Sequence, residues 1–384
     1  MKLLQPRSVL FFLSAIFMAV PAYAVQTDAP KPENQTGAKA ETVAVGLEHP
    51  WGIAFLPSGD MLVTERPGQI RYVTRGGAVS RPIDGAPDAR AGGQGGMLDI
   101  AVAPDFAATR EVYITYTERR DGRKTGTSLV RAKLQGTGDT ARFTDLHVIF
   151  RQKPAYNSGY HFGSRIVFSG DGDKVFVTLG ERGNRPGAQD LRQHLGKVVR
   201  LNRDGSVPAD NPFANDNRAF PEIWSYGHRN PQAAARHPVT GKLWVVEHGA
   251  RGGDELNIPL KGLNYGWPVI SYGTHYSGQK IGVGRQKEGM EQPAYYWDPS
   301  IAPSGMAFYT GEKYPAWQGS LFVGALKFRQ IHRLVLDGET VVAEETLLDG
   351  LNQRVRAIEQ SPDGELYFLT DSARGRVMRL EPRQ

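Results

Sequence analysis

The stretch Asn157–Gly183, which reads NSGYHFGSRIVFSGDGDKVFVTLGERG, contains the pattern that decides the fold. Two apolar runs, at 165–168 and 175–179, flank a turn rich in Gly and Asp, which is typical of a β-hairpin. His161 lies in the Gly-rich approach to the first run, and Glu181 follows the second run. A hairpin needs neither side chain, so both are candidate functional residues.

The same hairpin pattern occurs five more times along the chain. Each copy has an apolar run, a turn containing Pro, Gly or Asp, and a second run that starts with an aliphatic residue. The second runs begin near residues 62, 112, 175, 243, 321 and 366. This spacing suits propeller blades of about 40–50 residues with inserted loops.

Further strands are predicted between the hairpins, and long helical patterns are absent from the sequence. These strands fall at 69–73, 195–201 and 330–336. A two-sheet sandwich would also alternate strands and turns, but six copies favour a closed ring. The sequence therefore predicts an all-β fold, a six-bladed β-propeller with four-stranded antiparallel blades.

The first residues resemble an export signal. Lys2 and Arg7 precede an apolar stretch at 9–20, and Ala22-Tyr23-Ala24 fits a small-x-small cleavage site. We predict a cleaved signal peptide at 1–24, a flexible leader at 25–41 and the propeller at 42–384. No later segment is apolar enough for a membrane helix, so we expect a periplasmic protein without a membrane span.

Composition excludes several classes of site. The chain has no cysteine, which rules out a disulfide framework, Cys-based metal sites and thiol catalysis. Its 46 basic and 40 acidic residues give a net charge of +6. The basic residues are scattered, which argues against a nucleic-acid partner and is compatible with a small anionic ligand.

Two candidates lie close to the opening hairpin and a third lies in a glycine cluster. His161 suits general base catalysis because the pKa of histidine lies near operating pH, and Glu181 could orient it. The alternatives are a structural histidine and a solvated strand end. Gln94 stands among four glycines, which form either a flexible turn or a close approach to a flat ligand. Asp171 and Asp173 are more typical of a turn than of a metal site.

Further candidates are cations and a Gly-rich acidic segment. Arg229 could bind a carboxylate, polarise a carbonyl, or form an inter-blade salt bridge. Segment 247–257 combines carboxylates with flexible backbone, as calcium prefers, whereas zinc would need Cys or a close His pair. Lys327, Arg354 and Arg356 add cations at the edges of inner strands. Together with Arg229, these cations favour a polyanionic ligand at the channel mouth.

Six motifs, in order along the chain, resemble those of the soluble quinoprotein glucose dehydrogenase family, most closely its periplasmic aldose sugar dehydrogenases. The motifs are GQGGMLDIAVAPDF, HFGSRIVFSGDG, LGERGNRPGAQDLRQHLGKVVRL, IWSYGHRNPQ, EHGARGGDELNI and GLNYGWPVISYG. The resemblance runs from about His49 to the C-terminus. Each motif is weak alone, and together they are highly specific.

The resemblance implies a propeller that binds pyrroloquinoline quinone (PQQ) over the channel mouth with calcium. The implied cofactor contacts are Gln94, Arg229, Asn230, Tyr276, Lys327, Arg354 and Arg356. The implied ligands of the cofactor's calcium are the carbonyls of Gly249 and Ala250. Glu255 and the Tyr265 carbonyl resemble a second, structural calcium site.

The chemistry implied by the resemblance is oxidation of an aldose at C1 to the lactone. His161 would remove the C1 hydroxyl proton while hydride passes to the quinone, and Arg229 and calcium would stabilise the developing charge. An external electron acceptor would then reoxidise the cofactor. The small sugar is the expected partner of a monomer or homodimer.

This chain departs from the glucose dehydrogenases at three positions near the implied site. Tyr160 and Glu181 stand where the family carries aspartates, and Ala250 replaces a proline. Its loops are shorter, which predicts a more open site and looser sugar choice.

Two other functions fit a six-bladed propeller. A calcium-dependent lactonase would need Glu, Asn and Asp ligands from several blades and would not need the three cations at 327, 354 and 356. A non-catalytic exported binding propeller would leave His161 without a base's role.

Overall fold

A computed structural model describes residues 27–383 and confirms the six-bladed β-propeller. Its 24 strands form six four-stranded antiparallel sheets arranged as blades around a central channel. The predicted signal peptide at 1–24 lies outside the described residues. Within 27–383, no helix is long and apolar enough to cross a membrane.

Five blades are built from four consecutive strands each. Blade 1 contains β2 (Pro50–Phe55), β3 (Met61–Glu65), β4 (Gln69–Val73) and β5 (Val79–Pro82). Blade 2 contains β6 (Met97–Val102), β7 (Glu111–Arg119), β8 (Thr125–Gln135) and β9 (Arg142–Arg151). Blade 3 contains β10 (Gly163–Phe168), β11 (Lys174–Leu179), β12 (Lys197–Asn202) and β13 (Ile223–Tyr226). Blade 4 contains β14 (Pro231–Arg236), β15 (Leu243–Glu247), β16 (Asp254–Asn257) and β17 (Tyr295–Trp297). Blade 5 contains β18 (Pro303–Phe308), β19 (Leu321–Ala325), β20 (Ile331–Asp337) and β21 (Thr340–Leu347).

Blade 6 joins the two ends of the described chain. It contains β22 (Val355–Gln360), β23 (Leu366–Thr370), β24 (Gly375–Pro382) and β1 (Ala38–Leu47). β1 pairs antiparallel with β24, and Ala38 lies opposite Pro382. The helices are α1 (Phe106–Thr109) and the 3₁₀ segments Gly138–Thr140, Arg185–Ala188 and Pro315–Trp317.

β1 begins earlier than the propeller boundary predicted from the sequence, because residues 38–41 of the predicted leader at 25–41 belong to this strand. The chain is a strand from Ala38 onward, and the amides of Thr36 and Gly37 already donate to the Glu345 carboxylate of blade 5, at 2.8 and 2.9 Å. The sequence hid this strand because β1 buries few of its side chains. Its stability comes from backbone pairing with β24, which leaves no hydrophobic pattern to read.

The predicted hairpins are confirmed. The second strands β3, β7, β11, β15, β19 and β23 begin at residues 61, 111, 174, 243, 321 and 366, and each pairs with the strand before it. The three further runs correspond to β4, β12 and β20. The hydrophobic core lies between blades, since each of the six blade–blade interfaces holds an apolar cluster.

The first strand of every blade is six residues long and carries a bulge. In all six blades the pairing register shifts between its first residue and its third or fourth. A bulge bends the strand and re-aims side chains. In these strands it does so next to the end of the channel where the strands begin, which we call the mouth.

The third residue of these strands shows how the channel is filled. It is small in four blades (Gly52, Ala233, Gly305 and Ala357) and charged in the other two (Asp99 and Arg165). A Cβ on Gly52 would lie 2.9 Å from Asp99 Oδ1, so this position has no room for a side chain. The small residues leave the axis to the two charged ones, which are both buried.

Arg165 closes the channel by contacting every other blade. Its Nη1 donates to Asp99 Oδ1 at 2.9 Å. Its remaining partners, one from each of the other four blades, are the carbonyls of Gln232, Ser304 and Arg356 and the ring of Trp51, whose centroid is 4.1 Å away. One guanidinium thus separates the mouth from the opposite end of the channel.

Candidate active site at the channel mouth

A cavity of about 260 Å³ opens at the mouth. All six blades contribute to its wall, and it reaches down to the level of the bulges. Its polar lining consists of Arg66, Gln94, Gln232, His248, Arg354, Arg356 and Asp371. Inner strands that begin together at one end of a propeller therefore bring residues from distant sequence positions to one concave site.

His161 and Glu181 form a buried pair beside this cavity. Nδ1 of His161 lies 2.7 Å from Glu181 Oε1, and the Glu181 side chain is 1% exposed. An imidazole that donates from Nδ1 to a carboxylate keeps Nε2 as its acceptor. Burial lowers the pKa of His161, against the opposing effect of Glu181. His161 is therefore neutral near pH 7 and can accept a proton.

The loop that carries His161 has an unusual backbone. The φ angles of His161, Gly163 and Ser164 are +52°, +67° and +99°. Gln94 Oε1 accepts the His161 amide at 2.8 Å, and Asn230 Oδ1 accepts the Gly163 amide at 3.4 Å. Two of the predicted cofactor contacts thus hold this loop in a conformation that few residues adopt.

Arg229 lies behind the pair and is 7% exposed. Its Nη1 donates to the His248 carbonyl at 3.1 Å, its amide donates to Glu247 Oε2 at 2.6 Å, and its carbonyl accepts the Glu181 amide at 2.9 Å. Nε of Arg229 and Oε2 of Glu181 are buried without a partner. Tyr276 lies beside Arg229 and is 72% exposed.

The cations of blade 6 line the cavity. Arg356 donates to Asp371 Oδ2 at 2.8 Å and to Gln232 Oε1 at 3.1 Å, while its Nε has no partner. Arg354 lies 3.7 Å from Asp371. Burial acts to raise the pKa of Asp371, but Arg356 and Arg354 bring it well below its usual range. Lys327 differs from these two, because it lies on the exposed rim.

A second, much smaller cavity of about 10 Å³ lies among the predicted metal ligands. Gly249, Glu255 and Tyr265 line it, together with Glu247. Its volume suits a single water or ion. Ala250 does not line it, and forms a backbone bridge with Gly252.

The donors around this small cavity suit a hard cation. The side-chain Nδ2 of Asn257 donates to Glu247 Oε1, at 2.9 Å, and to Glu255 Oε2, at 3.1 Å. Desolvation and the Glu247 charge raise the pKa of Glu255, so a cation beside Glu255 would offset an unfavourable buried charge. No group of three or more His, Cys, Asp or Glu positioned for a metal occurs within 27–383. A cation here would therefore rely on carbonyl oxygens, as calcium readily does.

Sequence reasoning missed several residues of the site. Gln232 is one of them, and it occupies the second position of its inner strand, as the predicted Arg356 does, so alignment of the six hairpins could have found it. Asp371 and His248 follow second strands and carry no repeated signal. The structure shows their roles: Asp371 pairs with Arg356, and Nε2 of His248 donates to the Pro303 carbonyl at 2.7 Å.

Comparison with known proteins gives consistent relatives. Residues 47–379 match the family described as Glucose / Sorbosone dehydrogenase. Aldose sugar dehydrogenase YliI of Escherichia coli (strain K12) is 46% identical over 340 residues, which are 88% of this chain and 91% of the relative.

Two solved structures share the fold over nearly their whole length. The soluble aldose sugar dehydrogenase of Escherichia coli in its apo-form has a TM-score of 0.87 and 45% identity, over 90% of this chain and 100% of that one. The PQQ-bound form of aldose sugar dehydrogenase from Streptomyces coelicolor has a TM-score of 0.73 and 27% identity, over 90% of this chain and 99% of that one. The chain therefore belongs to the glucose/sorbosone dehydrogenase family.

Proposed function

We propose that this protein is a PQQ-dependent, calcium-containing aldose sugar dehydrogenase that oxidises C1 of a sugar to the lactone. The relatives named above support sugar oxidation, and the Streptomyces coelicolor structure supports PQQ. The observation that carries the proposal is the His161–Glu181 pair beside a cavity with arginines in its wall.

In this proposal His161 is the general base. Glu181 fixes the ring through Nδ1, which leaves Nε2 to take the proton of the C1 hydroxyl. The lowered pKa of His161 keeps the ring ready for this step at neutral pH. When bound, PQQ would supply the electrophilic carbonyl that accepts hydride, which no side chain can do.

The chain's own donors fit an anionic, planar cofactor. Arg229 and Arg356 each have a buried Nε without a partner, although buried polar groups are nearly always bonded. Carboxylate or carbonyl oxygens of PQQ would satisfy them with charge-assisted bonds. Arg354 and Gln94 would add contacts from the cavity wall, and Asn230 would add one from its position beside the His161 loop. Lys327 and Tyr276 would act from the rim, where their exposure leaves them free to turn inward.

Calcium fits the Gly-rich segment after β15. A Cβ on Gly249 would lie 2.2 Å from the Gly252 carbonyl oxygen and 2.3 Å from that of Gly253, so backbone oxygens crowd this position. We assign the carbonyls of Gly249 and Ala250 to the calcium that accompanies PQQ. We assign Glu255 and the Tyr265 carbonyl, with Glu247 nearby, to a second calcium.

The lactonase alternative fits the described residues less well. It calls for a cluster of acidic and amide ligands from several blades in the channel. Between 27 and 383, the channel axis is instead occupied by the Arg165–Asp99 ion pair. We further propose export to the periplasm through the 1–24 signal and transfer of electrons to an external acceptor.

Reconstitution tests the proposal. Metal-free protein would be loaded with PQQ and calcium, and dye reduction would be measured with a panel of aldoses. Reduction should need both additions and a sugar, and His161→Ala should lower kcat by at least about 100-fold. Protein that folds but neither binds PQQ nor reduces dye with any aldose would refute the proposal, and lactones under calcium would then be tested.

A further inference from the structure

We propose that Arg182, which follows the orienting carboxylate Glu181, is a positioning residue that fixes the backbone of the His161 loop. The inference rests on the proposed role of His161 as the base. The Arg182 side chain is completely buried beneath this loop. Two consecutive residues would then hold the base from opposite sides, Glu181 through the ring and Arg182 through the main chain.

The contacts of Arg182 converge on the residues around His161. Its Nε donates to the Tyr160 carbonyl at 2.9 Å, and its Nη2 donates to the Ser158 carbonyl. The guanidinium carbon lies 3.7 Å from the centroid of the Phe162 ring. Bonds to the carbonyl and hydroxyl of Thr125, at 3.1 and 3.0 Å, anchor the group to blade 2. The loop is thereby tied to a neighbouring blade.

The loop needs such an anchor because it lies between strands. β9 ends at Arg151 and β10 begins at Gly163, so the carbonyls from Ser158 to Tyr160 have no strand partner. The Gly159 carbonyl accepts a hydrogen bond from the Gln94 amide at 2.8 Å. Arg182 donates to the carbonyls on either side of it, those of Ser158 and Tyr160. Without those bonds two carbonyl groups would lose their partners.

Strain makes the anchor more important for position than for overall folding. His161 and Ser164 have positive φ angles, which cost free energy and persist only where surroundings enforce them. Loss of the hydrogen bonds from Arg182 should let the loop relax, and the His161 imidazole would then move away from the position in which it acts as the base. The blades themselves are held by their strand pairing and inter-blade clusters.

Arg333 provides a matched control for burial and charge. It is 4% exposed, pairs with Glu345 at 3.1 Å and donates to Thr36, all on the outer part of blade 5 or the chain leading to β1. If Arg182 only stabilised the fold, its substitution should change hydrogen exchange at 158–164 and kcat no more than substitution of Arg333 does. Arg182→Met and Arg333→Met remove the same group from two such places.

The first readout is hydrogen exchange in the full chain without cofactor. We expect Arg182→Met to speed exchange in peptides that cover 158–164, while Arg333→Met leaves those peptides unchanged. The second readout is kcat and KM of the reconstituted enzyme. Arg182→Met should lower kcat at least about tenfold with KM changed less than about threefold, because misplacement of a reacting group by about 1 Å can cost about 100-fold. The kcat of Arg182→Lys should lie between those of the wild type and Arg182→Met.

The pH profile gives a third readout, which reports on the surroundings of the imidazole. The charged and titratable groups near His161 include Glu181, Arg182, Arg229, His248 and the neighbouring Tyr160. Arg182 helps to lower the pKa of His161, so its loss should move the acid limb of the kcat profile to higher pH. Arg333→Met should leave that limb in place.

Several results would overturn the inference. Wild-type kcat and wild-type exchange at 158–164 in Arg182→Met would do so, as would equal losses of kcat in the two methionine variants. If Arg182→Met does not fold, wild-type kcat in a folded Arg182→Lys would have the same meaning. If the wild-type enzyme oxidises no sugar, the proposed function fails, while the exchange measurement still decides whether Arg182 fixes the loop.

Discussion

The two ends of the inner hairpins are stabilised over very different distances along the chain. At the end opposite the mouth, Ser361 donates to Asp363 two residues away, and Ser58 and Ser169 make the same bond to Asp60 and Asp171. At the mouth, Arg356 donates to Gln232 Oε1, 124 residues away, and Arg165 on the channel axis beneath it donates to the Arg356 carbonyl, 191 residues away. Turns of the first kind form from local sequence, whereas the mouth forms only when the ring closes. Substitutions at or near the mouth should therefore strongly change the free energy of unfolding or kcat, whereas substitutions in the turns should cause a small loss of stability and leave kcat unchanged.

The largest effect is expected for Arg165→Met. A methionine has no charge and no N–H donor, so buried Asp99 loses its cation and three carbonyls lose their donor. Breaking a buried ion pair by removing one partner costs about 3–5 kcal/mol, and we expect a loss of that size in the free energy of unfolding, measured with urea. Arg218→Met is the control, because Arg218 is exposed and pairs with Asp216, two residues away. A loss below about 1 kcal/mol would mean that the channel closure is not cooperative.

A pair of glycine substitutions comes next. A Cβ on Gly180 would lie 2.1 Å from the His161 carbonyl oxygen, so Gly180→Ala must displace the proposed base, and kcat should fall about 100-fold. Gly241, at the opposite end, has φ +70° and open space around it. Gly241→Ala should cost about 1 kcal/mol of stability and leave kcat unchanged. Equal kcat values for the two variants would contradict the comparison.

Glu181→Gln should have a smaller effect on kcat, about tenfold, since the ring keeps a neutral partner. The sign of the pH effect follows from the charge. Glu181 raises the pKa of His161, so its neutralisation lowers that pKa further and moves the acid limb of kcat to lower pH. Rate profiles between pH 4 and 8 would show the shift. A limb that moves to higher pH would mean that Glu181 is not the partner of the base.

The smallest effect is expected for a turn. Ser361→Ala removes the bond to Asp363 and the bonds that Ser361 makes with Glu365. We expect a loss of about 1 kcal/mol in the free energy of unfolding and an unchanged kcat, measured on the reconstituted enzyme. A fall in kcat would show that the turns communicate with the mouth.

The same contrast explains what could be predicted from the sequence. Hairpins and their turns were predictable because their partners lie within about 20 residues, and Asp171 indeed accepts the Ser169 hydroxyl within its turn. His161 and Glu181 were recognisable because both flank one hairpin, and the structure joins them at 2.7 Å. Their assigned roles remain predictions.

The residues that were missed depend on distant partners. Arg182 donates to Thr125, 57 residues earlier, Gln232 accepts a bond from Arg356, 124 residues later, and Arg165 contacts five other blades. β1 buries few side chains, and it was also missed because its partner strand β24 is distant: Glu41 pairs with Arg379, 338 residues away. Nothing in the sequence near such a residue identifies its partner. Only alignment of the six inner strands, where Asp99 and Arg165 stand among small residues, gives a hint.

The β1–β24 pairing has a consequence for the order of events during synthesis. Of the strands described, β1 is made first and its partner is made last. Its backbone N–H and C=O groups on that edge have no partner while five blades are completed, and an unpaired strand edge invites association with other chains. Pairings so distant in sequence also form slowly. During synthesis the edge of β1 must therefore stay accessible, without pairing with other chains, until β24 has been made.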